Sequence, residues 1–173
     1  MRTSPDQDAR YQEAAAAHGP ALQRLAAAVE ANPERRRDLL QDIHVALWRS
    51  FTGFDGRCAM RTWVYRVAHN VAATHVDRER RAHRGAVTID EIGDLADARD
   101  LSADLEANEQ LALLQRLIRQ LKHPDREIIT LYLEGLDAAS IADVVGLSSG
   151  AVATRISRLK TSLARLFQET ADV

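Results

Sequence analysis

Apolar residues recur along this chain at helical spacing and almost nowhere alternate as a strand requires. Residues 1–10 are polar and are expected to fray. Tyr11–His18 reads as a short helix before Gly19-Pro20, and Ala21–Ala31 repeats Leu22, Leu25 and Ala28/Val29 until Asn32-Pro33. Pro33 opens a helix to about Phe51, and Thr52-Gly53 with Asp55-Gly56 marks a loop. Arg61 to about Arg81 is a long helix. Helices resume near Ser102 and carry Leu111, Leu114, Leu117, Ile118 and Leu121 to Lys122. His123-Pro124-Asp125 starts the next, which runs through Tyr132 and ends at Gly135.

The segment Leu131–Phe167 (LYLEGLDAASIADVVGLSSGAVATRISRLKTSLARLF) has the pattern of a helix-turn-helix. A short helix turns Ile141, Val144 and Val145 inward, Gly146 ends it, Leu147 is expected to plug the turn, and Ser148 or Ser149 caps a longer helix. At 100° per residue, Val152, Ile156, Leu159, Leu163 and Leu166 of that helix share one side, and Ala151, Thr154, Arg155, Arg158, Ser162 and Arg165 share the other. Gly150–Arg165 carries Arg155, Arg158, Lys160 and Arg165 and no acid. A cationic helix with small residues at its start suits the DNA major groove, where phosphates attract arginine and small side chains permit close approach.

Composition agrees with an all-α fold: 46% of residues are hydrophobic, only 5% are aromatic, and there are four prolines and eight glycines. The net charge of −2 is at odds with DNA binding until it is resolved along the chain. Between Arg61 and Arg84 six arginines stand against Asp77 and Glu79; between Gly85 and Gln110 eight acids stand against Arg99 alone. Two basic modules thus flank an acidic, aperiodic stretch. The predicted organisation is two small helical domains, 1–84 and 102–173, joined by a flexible acidic linker, 85–101. A single cysteine, Cys58, excludes an internal disulfide, and no apolar run approaches a membrane span or a signal peptide, so a cytoplasmic protein without a membrane partner is expected.

Within residues 1–84 two faces carry candidate function. Leu39, Leu40, Ile43, Ala46, Leu47 and Phe51 form the core side of one helix, and Asp38, Gln41, Asp42 and Val45 line its opposite side. In an isolated helix that side reads as a solvated polar face. The following segment is different in kind. It sets Phe54, Trp63 and Tyr65 among Arg57, Arg61, Arg66, Arg78, Arg80 and Arg81. Val64, Val67, Ala68 and Val71 point inward, and Trp63, Arg66, Asn70, Ala73 and Asp77 line the other side. Rings for stacking, an amide for base edges and cations for the backbone are what unstacked bases need. The plainer alternative is that Trp63 and Tyr65 complete a core beside ordinary surface arginines.

Enzymatic and metal chemistry find little support. His69 and His75 are about 240° apart around one helix, and His18, His44, His83 and His123 are read as having no cysteine or carboxylate at ligand spacing. Cys58 has Arg57 and Arg61 nearby but no local base. No phosphate-binding glycine loop or hydrolase motif is present, so no catalysis, cofactor or metal is expected.

The stretch DLLQDIHVALWRSFTGFDGR, followed by RTWVYRVAHNVAATHVDRERR, resembles conserved region 2 of bacterial extracytoplasmic-function sigma factors, and LKHPDREIITLYLEGLDAASIADVVGLSSGAVATRISRLKTSLARL resembles their region 4. The resemblance spans roughly 21–84 and 111–167, in that order. It implies that Asp38, Gln41, Asp42 and Val45 grip the clamp of the largest subunit of core RNA polymerase, and that the second subunit's flap is also a partner. It implies that Phe54, Arg57, Arg61, Trp63, Arg66, Asn70, Asp77, Arg78, Arg80 and Arg81 recognise and melt the promoter −10 element. Ser149, Ala151, Thr154, Arg155, Arg158 and Lys160 would read the −35 element, and an anti-sigma protein is a further implied partner. The chain departs from many members at Cys58-Ala59-Met60, at His44 and Val45, and at Thr161-Ser162.

Two other functions fit parts of the pattern: a helix-turn-helix regulator that binds duplex DNA without polymerase, and a module whose basic segments bind acidic proteins. The first needs a sensor or phospho-acceptor domain, and residues 1–84 show no βα alternation. If the sigma reading holds, two DNA-reading surfaces on a loose tether bind promoters poorly until core polymerase fixes their spacing.

Overall fold

The computed structural model describes residues 5–84 and 105–171, and within them all regular structure is helical. The helices are α1 (Pro5–Val29), α2 (Pro33–Ser50), α3 (Met60–Arg84), α4 (Leu105–Gln120), α5 (Asp125–Leu133), α6 (Ala138–Val145) and α7 (Ser149–Ala171). The expected linker, 85–101, lies outside the described residues.

Helix α1 differs from expectation in two ways. It runs unbroken through Gly19-Pro20, where two helices were expected. Proline inside a helix removes one hydrogen bond and costs about 3 kcal/mol in isolation. Ala14, Leu22, Leu25 and Ala26, all buried on one side, hold both halves to the same core. Its first turns are also anchored, where fraying was expected: Gln7 Nε2 donates to the Trp48 carbonyl at 2.9 Å, and Trp48 Nε1 donates to Asp8 at 2.8 Å. Helix α2 begins as its sequence dictates. The Asn32 side chain accepts from the Glu34 and Arg35 amides, and Pro33 fills the first helical position. Leu39, Ile43 and Leu47 then pack into α1 and α3, against Val64, Tyr65, Ala68 and Ala72.

A buried polar knot closes this first group. Glu30, at the end of α1, accepts from the Asn32 amide at 2.8 Å, and its other oxygen meets His75 Nε2 of α3 at 3.0 Å. Burial alone would push the Glu30 carboxyl up. The hydrogen bonds from His75 and Asn32, with the charge of Arg35, outweigh it and hold the group below its ordinary value.

In the second group Asp137 caps α6 by accepting from the Ser140 amide at 2.7 Å, and Gly146, at φ +73°, ends it in the left-handed region. Ser148 Oγ accepts from the Ala151 amide at 3.3 Å to start α7. Val152, Ile156, Leu159 and Leu163 are buried as the periodicity predicts. Leu147 does not plug the turn: it is 36% exposed, and the buried leucine is Leu136, ahead of α6.

The two groups, α1–α3 and α4–α7, were expected to hang on a loose tether. They pack instead on each other, α1 against α4 and α5, and α3 against α6, within a single continuous apolar cluster. The void remaining at the seam, lined by Leu25, Val29, His69 and Ala72 on one side and Arg126, Glu127, Thr130 and Leu131 on the other, measures only about 10 Å³.

Candidate polymerase and nucleic-acid interfaces

Three surfaces carry the candidate residues. On α2, Asp38, Gln41, Asp42 and Val45 are all exposed, on the side opposite buried Leu39, Ile43 and Leu47. Val45 is a large apolar residue 40% exposed among polar neighbours, which a purely solvated face would not require. His44, beside this strip, is half-buried, with Nδ1 3.1 Å from the Tyr11 hydroxyl; burial pushes its pKa below the ordinary 6.5.

The second surface comprises the α2–α3 loop and α3. Phe54 and Trp63 are half-buried and packed together, ring centroids 5.2 Å apart, and Phe54 meets buried Phe51 edge-on at 6.0 Å. Trp63 Nε1 donates to Ser50 Oγ at 2.9 Å; Arg10 lies over the Phe54 ring and donates to its carbonyl at 3.1 Å. Of the two roles open to Trp63, this geometry is that of a strut beneath the loop. Tyr65 is fully buried, as the plainer alternative had it. Along α3, Asn70, Asp77, Arg78, Arg80 and Arg81 are exposed. Arg57 is exposed and paired with Asp55 at 3.0 Å. Arg66 is half-buried, its Nε without a hydrogen-bond partner, and Arg61 donates to the Glu134 carbonyl of the second group.

The third surface is α7. Ser149, Thr154 and Arg158 are exposed and Ala151 is half-exposed at its start. Thr154 Oγ1 donates to the Gly150 carbonyl at 3.0 Å. Arg155 is held by Asp125 at 2.6 Å, and these two border a shallow basin with Arg158, Leu159 and Ser162. Lys160 points elsewhere, its Nζ 3.2 Å from the Tyr132 hydroxyl and 5.3 Å from that ring's centre. Position in the helix does not reveal such a tie. Asp125 itself was passed over, since a carboxylate thirty residues earlier gives no local signal.

The histidines hold a second omission. Glu127 Oε2 lies 2.7 Å from His123 Nδ1, four residues before it, and 3.4 Å from His69 Nδ1 across the seam, with the two rings stacked at 6.2 Å. The i,i+4 spacing of His123 and Glu127 was readable, but the partnership with His69 was not. Among the described residues no group of three such side chains is arranged to hold a metal ion, and no helix is long and apolar enough to cross a membrane.

Among the described residues the chain is all-helical, with a basic helix-turn-helix at one end and a basic helix beside an aromatic cluster at the other, the two-module architecture of one class of helical proteins. The family model for Sigma-70 region 2 matches residues 14–82, and that for Sigma-70 region 4 matches residues 111–163. The chain belongs to the sigma-70 family of RNA polymerase sigma factors, in its extracytoplasmic-function group. It is 31% identical to the RNA polymerase sigma-H factor of Pseudomonas aeruginosa, over 78% of this chain and 74% of that one. It is 29% identical to sigma factor CnrH of Cupriavidus metallidurans, over 91% and 86%. Against the sigma factor SigG of Mycobacterium tuberculosis it is 25% identical and spans only 42% of that protein's length. Among solved structures, CnrH in complex with the cytosolic domain of CnrY matches at a TM-score of 0.65 and 26% identity, over 92% and 88% of the two chains. The sigma factor RpoE of Bartonella quintana, solved with the anti-sigma factor NepR, shares the fold at a TM-score of 0.74 and 20% identity, over 91% and 96%.

Proposed function

We propose that this protein binds core RNA polymerase and directs it to promoters by reading a −35 and a −10 element and helping to open the latter. The observation that carries the reading is the presence, in one chain and in family order, of the exposed α2 strip, the basic α3 face and the basic α7 face. Asp38, Gln41, Asp42 and Val45 dock the clamp, their polar groups giving specificity around one apolar contact. Thr154, Arg155 and Arg158 enter the major groove, with Ser149 and Ala151 allowing close approach. Asn70 reads exposed bases of the −10 strand, and Arg57, Arg61, Arg66, Arg78, Arg80 and Arg81 follow its phosphates over a loop propped by Phe54 and Trp63. The protein contributes no catalytic group; bond formation belongs to the polymerase. A cytoplasmic location follows from that partner. Because CnrH is seen with the cytosolic domain of CnrY, a small regulatory protein that covers these surfaces is a further proposed partner.

The natural domain division is 1–84 and 102–173, with 85–101 as an acidic connector. The test is transcription in vitro. Sigma-free core plus this protein should yield transcripts from a subset of genomic fragments on which core alone is silent. Binding of duplex promoters without core, and no transcripts with it, would instead indicate an ordinary regulator.

A further inference from the structure

Two arginines of the α7 face, three residues apart, are held in opposite ways. Arg158 is exposed, and among the described residues no carboxylate is paired with it. Arg155 is half-buried, and its Nη1 donates to Asp125 Oδ1 at 2.6 Å. The two side chains of this pair are 33% and 34% exposed, so the contact lies at the rim of the surface, partly shielded from water. Asp125 is the first residue of α5, which packs against α7, and Pro124 before it supplies no side-chain cap. The carboxylate therefore stands at the positive end of α5 and on the flank of α7, in the basin that Arg158, Leu159 and Ser162 complete.

A guanidinium carries five N–H donors in one rigid plane, and it reads guanine by two parallel bonds, to O6 and N7. Asp125 takes a donor from Nη1. The Nε–Nη2 edge keeps two parallel N–H groups, and among the described residues no acceptor is bonded to it. The tether also removes the swing of a long side chain, so this edge is presented in one orientation before DNA arrives. A carboxylate so placed would serve a phosphate contact badly, because it offsets the arginine's charge and repels the backbone. For a base contact, which depends on direction, the same carboxylate helps.

We infer that Asp125 is a positioning residue for −35 recognition: it holds Arg155 so that the Nε–Nη2 edge reads a guanine of that element and not a phosphate. The inference rests on the proposed function, and adds to it a residue outside the recognition helix and the base that is read.

The test uses duplexes that carry a −35 element selected by the holoenzyme, titrated with holoenzyme. The parent should prefer one guanine of the element over adenine at that position by about tenfold, and Arg155→Ala should abolish that preference. Asp125→Ala should cut it to about twofold or less while overall affinity rises and the salt dependence steepens by about one unit of slope, since Arg155 is then a free cation. A merely structural role predicts the opposite pattern: weaker binding, with the ratio between the two bases unchanged, because that ratio is set by the folded fraction alone. In an Arg155→Ala background, Asp125→Ala should leave the remaining base preference as it was. A parent without a guanine preference that depends on Arg155 would overturn the inference, and so would a preference that survives Asp125→Ala. A further loss of preference in the Arg155→Ala background would show that Asp125 does not act through Arg155. If the parent binds selected duplexes without core and yields no transcripts with it, the initiation reading fails; the same ratios, measured on those duplexes without core, then judge Asp125 on their own.

Discussion

Single side chains in the two proposed DNA-reading surfaces make separable demands. Trp63 and Asn70 lie seven residues apart on α3 yet differ in what holds them. Trp63 is packed on Phe54 and bonded to Ser50, so Trp63→Ala should cost stability of roughly 3 kcal/mol and disturb the loop with it. Asn70 is exposed, so Asn70→Ala should leave the thermal midpoint and closed-complex binding near wild type while reducing open promoter and altering preference within the −10 element. Comparing melting curves with open-complex yield for both variants checks the assignment; equal behaviour would place the two residues in one role. On α7, Arg158 is exposed and Arg155 is held by Asp125. Arg158→Ala should weaken −35 binding and, if it meets a phosphate, make the salt dependence shallower by about one unit of slope. Arg155→Ala should cost about 1–3 kcal/mol of base discrimination instead. Titration of duplex −35 fragments by holoenzyme across salt concentrations separates them, and no change in either variant would mean that another face of α7 meets DNA.

At the scale of the element, α2 carries the proposed assembly surface, and the polar contacts around it bear on the acid response. Asp38→Arg with Gln41→Arg should weaken association with core polymerase without loss of helix, because both side chains are on the exposed side; unchanged assembly by titration would remove this strip from the account. His44 is held neutral by burial, so in the unfolded chain it takes up a proton at a higher pH than in the fold. Its contribution is therefore present above its ordinary pKa of about 6.5 and is lost as pH falls through that value toward the lowered one. Glu30 acts in the same direction but later, below the ordinary carboxylate range, because its pKa is also lowered. The thermal midpoint should fall between about pH 7 and pH 5, and less steeply in His44→Gln, which keeps a partner for Tyr11; an identical slope would assign the acid response elsewhere. Helix positions and their buried faces were legible because periodicity at 3.6 residues is a local signal: α2, α3, α5, α6 and the apolar side of α7 fall where the pattern put them. Pro20 misled because burial of Leu22 and Ala26 outweighs a local helix breaker. Leu147 misled because alternation of apolar residues does not say which of Leu136 and Leu147 the Gly146 turn leaves at the rim. Arg24–Glu134, Arg155–Asp125 and His69–Glu127 join residues 30 to 110 positions apart, and no local pattern encodes such pairs.

For the whole molecule, the central claim is that the two helical groups act as one promoter-opening device when polymerase holds them. The exposed α2 strip, the basic α3 face and the α7 face each have commoner uses singly; together they fit the proposed use of both core polymerase and melted DNA. Permanganate reactivity of thymines in a selected promoter tests this most directly. Core polymerase with this protein should make thymines around the −10 element reactive, while core alone and protein alone should not. Reactivity should drop in Asn70→Ala, with the upstream −35 footprint retained. A −35 footprint by the protein alone, with no thymine becoming reactive when core is added, would contradict the account.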